Sequence, residues 1–255
     1  MFPRTPPPAL LVHTRADPRE DLALDGALLR DCDANGDAFP RGGVLRVWER
    51  PAPCVVLGRA NRAARNVDAA ACAAGGVPVL RRGSGGGTVL LGPGAICWSL
   101  VLPVGPPAGV PGDIPAVTAA IMHRLAAAFR DAGVPAGVDG TSDLTVRGQN
   151  GNRVKVGGNA QRWLQRAMLH HGTLLYDFDL SLIPRYLSPP ERQPEYRAGR
   201  PHAAFVTNLP LPRAAVLDAL TAALGAGGER ADPPLALMRE SMAERYARPD
   251  WHAKR

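Results

Sequence analysis

The 255-residue chain is long enough to bury a full core as one large domain, or as one domain with a small appendage. Its 45% hydrophobic and 21% charged residues form an ordinary globular balance, which excludes wholesale disorder. A formal charge of +7 favours an acidic partner, and 5% aromatics without an RNA-stacking pattern put nucleic acid behind an anionic small molecule or an acidic protein surface.

Proline clusters at residues 3–8, 103–115 and 189–201 mark a tail and two loops, with residues 1–8 read as a disordered tail. Ala9-Leu10-Leu11-Val12-His13 reads as a first strand. Asp17-Pro18-Arg19-Glu20 supplies an N-cap, a proline at N1 and an acid at N3, opening a helix through Leu22, Asp25, Leu28 and Leu29. Val44-Leu45-Arg46-Val47-Trp48 alternates as a strand, and Cys54-Val55-Val56-Leu57-Gly58 follows as a second that delivers Arg59, Asn61 and Arg62 to a loop. A short Ala-rich helix over residues 67–74 leads to the apolar run Gly76-Val77-Pro78-Val79-Leu80.

That run feeds Arg81-Arg82-Gly83-Ser84-Gly85-Gly86-Gly87-Thr88-Val89, after which Val89-Leu90 and Ala95-Ile96-Cys97-Trp98-Ser99-Leu100-Val101-Leu102 read as strand again. Glycines without a Cβ let a ligand press against backbone N–H groups, so the segment reads as an anion-binding loop rather than a glycine-rich hairpin turn. The two adjacent guanidiniums decide between these readings, because a plain turn has no evident use for them. Walker A requires Gly-Lys-Ser/Thr where this chain has Gly87-Thr88-Val89, and the dinucleotide fingerprint opens a helix where this chain continues as strand. Residues elsewhere must complete the cradle.

Beyond the loop, Val117, Ile121, Leu125 and Phe129 recur at helical spacing, and Gly133 with Pro135 ends that helix. Asp143-Leu144-Thr145-Val146 and Arg153-Val154-Lys155-Val156 alternate across Gly148-Gln149-Asn150-Gly151-Asn152 as a hairpin with an Asn-Gly turn. Gly157-Gly158-Asn159-Ala160-Gln161 follows, and a further strand ends at Leu169-His170-His171-Gly172-Thr173-Leu174-Leu175. Two helices are expected over residues 213–224 and 235–246; no internal repeat or dividing linker is evident.

Only Lys155 and Lys254 are lysines among 30 basic residues, so Lys155 keeps an ammonium where the composition favours guanidinium. Alternation turns it away from Val154 and Val156, either to solvent as an edge lysine or toward a site, where a compact charge suits a phosphate or a reacting carboxylate. His170 and His171 point to opposite faces of their strand, so at most one enters a pocket.

In chain order, the Arg81-to-Val89 loop, Ser142-Asp143-Leu144, Lys155-Val156-Gly157-Gly158-Asn159-Ala160, His170-His171-Gly172-Thr173-Leu174-Leu175 and Val206-Thr207-Asn208-Leu209 resemble the motifs of lipoate-protein ligases. Each motif is weak alone; five in order, between about Leu10 and Leu224, are specific. The resemblance implies the α+β catalytic fold of biotin and lipoate protein ligases, a mixed sheet flanked by helices and related to class II aminoacyl-tRNA synthetases. It places a catalytic domain at residues 9–225 and a helical extension at 226–255. It further implies activation of lipoate (or octanoate) with ATP and Mg²⁺ to an acyl-adenylate, then transfer to a lysine of an acidic lipoyl domain or carrier protein.

Carried over by position, Arg82 contacts the acyl-adenylate, and Gly85, Gly86, Gly87, Thr88, Val89 and Leu90 form its cradle. Lys155 binds the α-phosphate and the acyl carbonyl beside Gly157 and Gly158, and Asp143 is the carboxylate near nucleotide and Mg²⁺. Apart from the resemblance, His171 is the histidine taken as a substrate contact, with two structural histidines as the equal alternative. Leu91 stands where a histidine is common, and Asp25-Gly26 where an Asp-Glu pair is common. The short stretch after the core implies a separate accessory subunit for adenylation.

Two other functions compete. An octanoyltransferase or amidotransferase on the same fold would carry the acyl group as a cysteine thioester. The positions that hold that cysteine in its branches are Met168 here, or fall in Gly140-Thr141-Ser142, and Cys97 on an apolar strand reads as a core thiol. A non-catalytic lipoate-binding protein would need no lysine. Cys32, Cys54, Cys72 and Cys97 show no CxxC spacing, and the sequence shows no leader pattern or apolar run near the ~20 residues of a membrane span. A reduced cytoplasmic protein without a zinc site is therefore expected.

Overall fold

The computed structural model describes residues 6–35, 38–106, 109–148, 150–190, 193–227 and 231–253. Residues 1–5 of the expected tail, Gln149 of the hairpin turn and Lys254 lie outside the described residues. In chain order, β1 (Ala9–Val12) leads into α1 (Pro18–Ala34), β2 (Val44–Glu49) and β3 (Cys54–Leu57), then the short helices α2 (Ala63–Asn66) and α3 (Ala69–Ala74). β4 (Val79–Arg81), β5 (Val89–Leu91) and β6 (Ala95–Pro103) follow, then α4 (Ile114–Asp131), β7 (Gly137–Asp139), β8 (Asp143–Arg147), β9 (Arg153–Trp163) and β10 (Ala167–Leu175). The remainder is α5 (Leu182–Tyr186), one 3-10 turn (Glu195–Arg197), α6 (His202–Phe205), α7 (Arg213–Leu224), α8 (Leu235–Ser241), a π-helical turn (Met242–Tyr246) and α9 (Pro249–Ala253).

Seven strands form a mixed sheet in the order β1-β2-β6-β10-β9-β8-β7, with β1 parallel to β2 and the other pairs antiparallel. Alternation along its central strands gives it two apolar faces. Leu45, Val47, Ile96, Trp98, Leu100 and Met168 join α4 and α7 in one core, while Val44, Trp48, Cys97, Val101 and Leu169 join α1 and α8 in another. Asp17 caps α1 by accepting from Arg19 N, and Pro18 occupies its first turn, as the sequence predicts. Among the described residues no helix is long and apolar enough to cross a membrane.

The glycine segment departs from a simple strand-loop-strand. β4 and β5 do not pair with each other: β3 lies between them, parallel to β4 and antiparallel to β5. The loop therefore arches over the end of β3 and is not a hairpin turn. β9 also runs straight through Gly157 and Gly158 to Trp163, so these glycines are strand residues paired with Leu174 and Thr173. The C-terminal helices fold back on the core. Trp251 Nε1 donates to the Arg81 carbonyl at 2.9 Å, and Arg81 N donates to His252 Nδ1 at 3.0 Å, so α9 satisfies the outer edge of β4.

Candidate active site

Lys155 reaches Asp143 across the β8-β9 pair, with Nζ 2.6 Å from Oδ1, and Tyr196 donates its hydroxyl to Oδ2 at 2.8 Å. A bulge between Leu144 and Thr145 lets the two strands bring these side chains together. Gly158 leaves room for the ammonium: a Cβ there would lie 2.7 Å from Lys155 Nζ. Burial and the adjacent Asp143 carboxylate raise the Tyr196 phenol above its ordinary value, so it stays a donor. Asn159 ties the two strands further, donating from Nδ2 to Ser142 O at 2.7 Å.

Two cavities meet at Lys155. The smaller, about 130 Å³, is lined by the apolar Leu22, Trp48, Val56, Leu91 and Cys97 and closed by Arg82 and His171. The larger, about 330 Å³, is lined by Leu90, Ser142, Asp143, Gly157, Arg197 and His202. Gly87, Thr88, Val89, Lys155 and Gly158 belong to both walls. A narrow apolar slot and a wider chamber, whose wall mixes Leu175, Ile183, Leu187 and Phe205 with Asp143, Arg197 and His202, thus share one ammonium and one stretch of backbone. A separate cavity of about 320 Å³ under Pro6, Pro7 and Pro8 contains none of the residues expected at a site.

The two adjacent arginines also carry structural duties that the sequence did not show. Arg82 is 7% exposed; its Nη2 donates to the carbonyls of Gly85 at 2.5 Å and Gly87 at 2.8 Å, and its Nε to Ser84 Oγ at 3.0 Å. Burial pulls its pKa down to about 10, which leaves it charged at neutral pH. Arg81 donates to the carbonyls of Gly58, Arg59 and Asn61 and to Trp251 and His252. Arg82 therefore shapes the glycine loop by binding its carbonyls and borders the slot, while Arg81 ties β4 to residues 58–61 and to α9. Gly85 and Gly86 are exposed and stand outside both walls.

The two histidines separate as alternation requires. His170 is 1% exposed and stacks on Trp98 with centroids 5.5 Å apart, and neither ring nitrogen has a hydrogen-bond partner among the described residues. His171 borders the slot, with Nε2 2.6 Å from Ser84 Oγ and Nδ1 3.6 Å from Asp25 Oδ2. Asp25 accepts from Arg46 Nη1 and Ser99 Oγ, each at 2.7 Å. Burial opposes its ionisation, yet Arg46, His171 and Ser99 hold it below the ordinary carboxylate value. Arg46 also pairs with Asp21, which Arg50 joins at 2.7 Å. This buried chain runs from the core to the loop, and its signal in sequence was the set of charged residues on otherwise apolar elements: Asp21 and Asp25 on α1, Arg46 on β2.

Sequence reasoning also missed Tyr196, Arg197 and His202, which come from the proline-rich stretch read as loop. His202 Nε2 is buried without a partner on the wall of the chamber, and burial, then Arg197, lowers the ring's pKa. The four cysteines are buried and unpaired. Burial raises the thiols of Cys32 and Cys54 to about 12 and lifts those of Cys72 and Cys97 as well, which disfavours a thiolate at neutral pH. Met168 is fully buried on the α4 side of the sheet, opposite His171. Among the described residues no group of three His, Cys, Asp or Glu could hold a metal by itself. Among the residues lining the chamber, Asp143 is the carboxylate that would join nucleotide phosphates around an Mg²⁺.

The family model for the lipoyl protein ligase A/B catalytic domain matches residues 17–224. The fold is similar to that of a bi-partite lipoate protein ligase studied with its E2 lipoyl domain from Thermoplasma acidophilum: TM-score 0.79, 22% identity, covering 97% of this chain and 96% of that one. A lipoate-protein ligase A crystallised with ATP gives TM-score 0.79 at 22% identity, covering 97% and 99%. P. falciparum LipL1 in complex with lipoate gives 0.71 at 19%, covering 97% of this chain and 74% of that one.

Proposed function

The chain belongs to the lipoyl protein ligase A/B catalytic-domain family, and on that premise we propose that it is an ATP-dependent lipoate-protein ligase whose Lys155 stabilises both half-reactions. The observation that carries this reading is the meeting of a narrow apolar slot and a wider chamber bearing Asp143, Arg197 and His202 at a single ammonium. The acyl chain of lipoate occupies the slot, and ATP occupies the chamber. The carboxylate oxygen attacks the α-phosphorus and pyrophosphate leaves; the ε-amine of an acceptor lysine then attacks the acyl carbonyl and AMP leaves.

Negative charge builds on the α-phosphate oxygens in the first step and on the carbonyl oxygen in the second. Lys155 stands at the junction where both would lie, and the Gly87–Val89 stretch lines the same junction. Asp143 and Tyr196 hold the ammonium in place, so little reorganisation accompanies the reaction. Mg²⁺ would supply Lewis-acid charge on the phosphates beside Asp143. The raised cysteine thiols argue against the thioester route.

An acidic lipoyl domain is the acceptor in this reading, supported by the chain's charge of +7 and by the Thermoplasma neighbour studied with its lipoyl domain. That neighbour is described as bi-partite, which supports a separate accessory subunit for adenylation here. The test is to run the half-reactions separately on the isolated chain. We expect slow lipoyl-AMP formation from lipoate, ATP and Mg²⁺, but ready transfer from supplied lipoyl-AMP to a lipoyl domain; no transfer from lipoyl-AMP to any lipoyl domain would refute the ligase reading.

A further inference from the structure

Behind the glycine loop, on the side away from the chamber, a recess of about 160 Å³ opens between α1, β9 and the π-helical turn. Arg162 and Arg245 face it, with Arg30, Ser241, Glu244 and Tyr246. The two guanidiniums converge on Gly83: a Cβ built there would lie 2.7 Å from Arg162 Nη1, 3.5 Å from Arg245 Nη1 and 3.3 Å from Tyr246 Oη. Arg30 takes Glu244 at 3.3 Å and Glu240 at 3.5 Å. Among the described residues no carboxylate lies within ion-pair distance of Arg162 or Arg245.

Arg162 is the unusual member. It is partly buried, and no hydrogen bond to its guanidinium is found among the described residues. Burial, then the like charges of Arg245 and Arg59, lowers its pKa. Arg245 lies over the Trp251 ring, 4.8 Å from the centroid, which leaves its edge open to the recess. Partly buried cations without an acceptor are costly, and the cost is offset when an anion arrives. Tyr246 shares a side-chain hydrogen bond with Arg245 and Ser241 accepts from Arg30, so each hydroxyl keeps its proton to donate, while Glu244 is taken by Arg30.

We propose that this recess is an oxyanion-binding site, taking a carboxylate or phosphate group between Arg162 and Arg245. Guanidinium forks match both groups in bidentate geometry. The anion comes from one of two sources: a free small molecule, or an acidic side chain of the acceptor protein. The second source rests on the ligase reading. Arg162 lies seven residues along β9 from Lys155, roughly 23 Å at strand rise, within the footprint of one small domain docked over the slot.

The test compares wild type with Arg162→Gln and Arg245→Gln, the second of which changes a half-exposed side chain and guards against misfolding of the first. Thermal melts are recorded with inorganic phosphate against chloride at equal ionic strength. Expected for a free anion is a phosphate-dependent rise in Tm in wild type that is lost in both variants, with Arg162→Gln melting higher than wild type without phosphate. Expected for an acceptor side chain is no phosphate effect, but a KM for the lipoyl domain raised about 10-fold or more in both variants with kcat unchanged. Equal phosphate response in all three proteins, with unchanged acceptor KM, overturns the site. If the chain modifies no lipoyl domain, the ligase reading fails alone and the phosphate melts decide this proposal.

Discussion

Two neighbouring glycines on β9 separate chemistry from packing. A Cβ on Gly157 would lie 2.5 Å from the Thr173 carbonyl of the adjacent strand, whereas one on Gly158 would meet the flexible end of Lys155 at 2.7 Å. Gly157→Ala should therefore destabilise by about 1–3 kcal/mol, a strain at fixed backbone. Gly158→Ala should keep most of the stability and lose activity, because the ammonium must move. Urea unfolding set beside acyl-transfer rates checks both; equal loss of stability would remove the distinction. Lys155→Ala should fold and lose transfer by about 10²–10³-fold, the usual effect of deleting one transition-state donor. Near-wild-type turnover in that variant would assign the charge stabilisation elsewhere.

At the scale of elements, the loop is held from two distant places. Its leading strand β4 has its outer edge met by α9, where His252 accepts from Arg81 N at Nδ1 and shares Nε2 with the Tyr246 carbonyl at 2.8 Å. Both ring nitrogens are used only if the ring is neutral. Burial lowers its pKa, helped by Arg19 and Arg81 and opposed by the Tyr246 bond and Asp17. A histidine held below its unfolded value contributes stability that is present above about pH 6.5 and lost as pH falls toward the folded value. His252→Ala should lower activity and loosen the loop at neutral pH, and His252→Asn, which restores an acceptor near Nδ1, should recover part of it. Hydrogen exchange at Arg81 N is the measurement; unchanged protection in the alanine variant would show that α9 does not hold β4. The strands flanking the loop were legible from their β-branched runs, and α1 from its cap. The insertion of β3 between β4 and β5 was not, because strand order is decided by pairing across the fold. The duty of Arg81 was hidden for the same reason: its acceptors come from residues 58–61 and 251–252, which no local pattern joins to it.

For the whole molecule, buried polar groups make stability depend on pH. His170 is held to about 3 by burial, with His171 a smaller cause, and His13, His202 and His252 are also lowered, mainly by burial. Unfolded chains bind these protons first, so stability should fall as pH drops below about 6.5, by up to about 1.4 kcal/mol per pH unit for each fully titrating ring. His170→Phe, which keeps the stack on Trp98, should flatten that slope between pH 6.5 and 4; an unchanged slope would place the linkage in other groups. The same fold brings together a site that local reading could only partly assemble. Lys155 stood out as an ammonium in an arginine-rich chain, followed by two glycines, and alternation separated His171 from His170, whereas Asp143 was read from the family resemblance; Tyr196 and His202 were not read, since a proline-rich stretch and the residue that follows it give no period to count. The central claim of the proposed function is that the acyl group reaches its acceptor as an adenylate, beside Lys155 and without a thioester. The direct measurement is intact-mass analysis of a lipoyl domain incubated with lipoyl-AMP and either wild type, Lys155→Ala, or a variant with Cys32, Cys54, Cys72 and Cys97 replaced together. The account predicts a lipoylated acceptor with wild type and the cysteine-free chain, and little with Lys155→Ala. A hydroxylamine-sensitive acyl adduct on one of the four cysteines, with transfer lost when that cysteine alone is replaced, would contradict it.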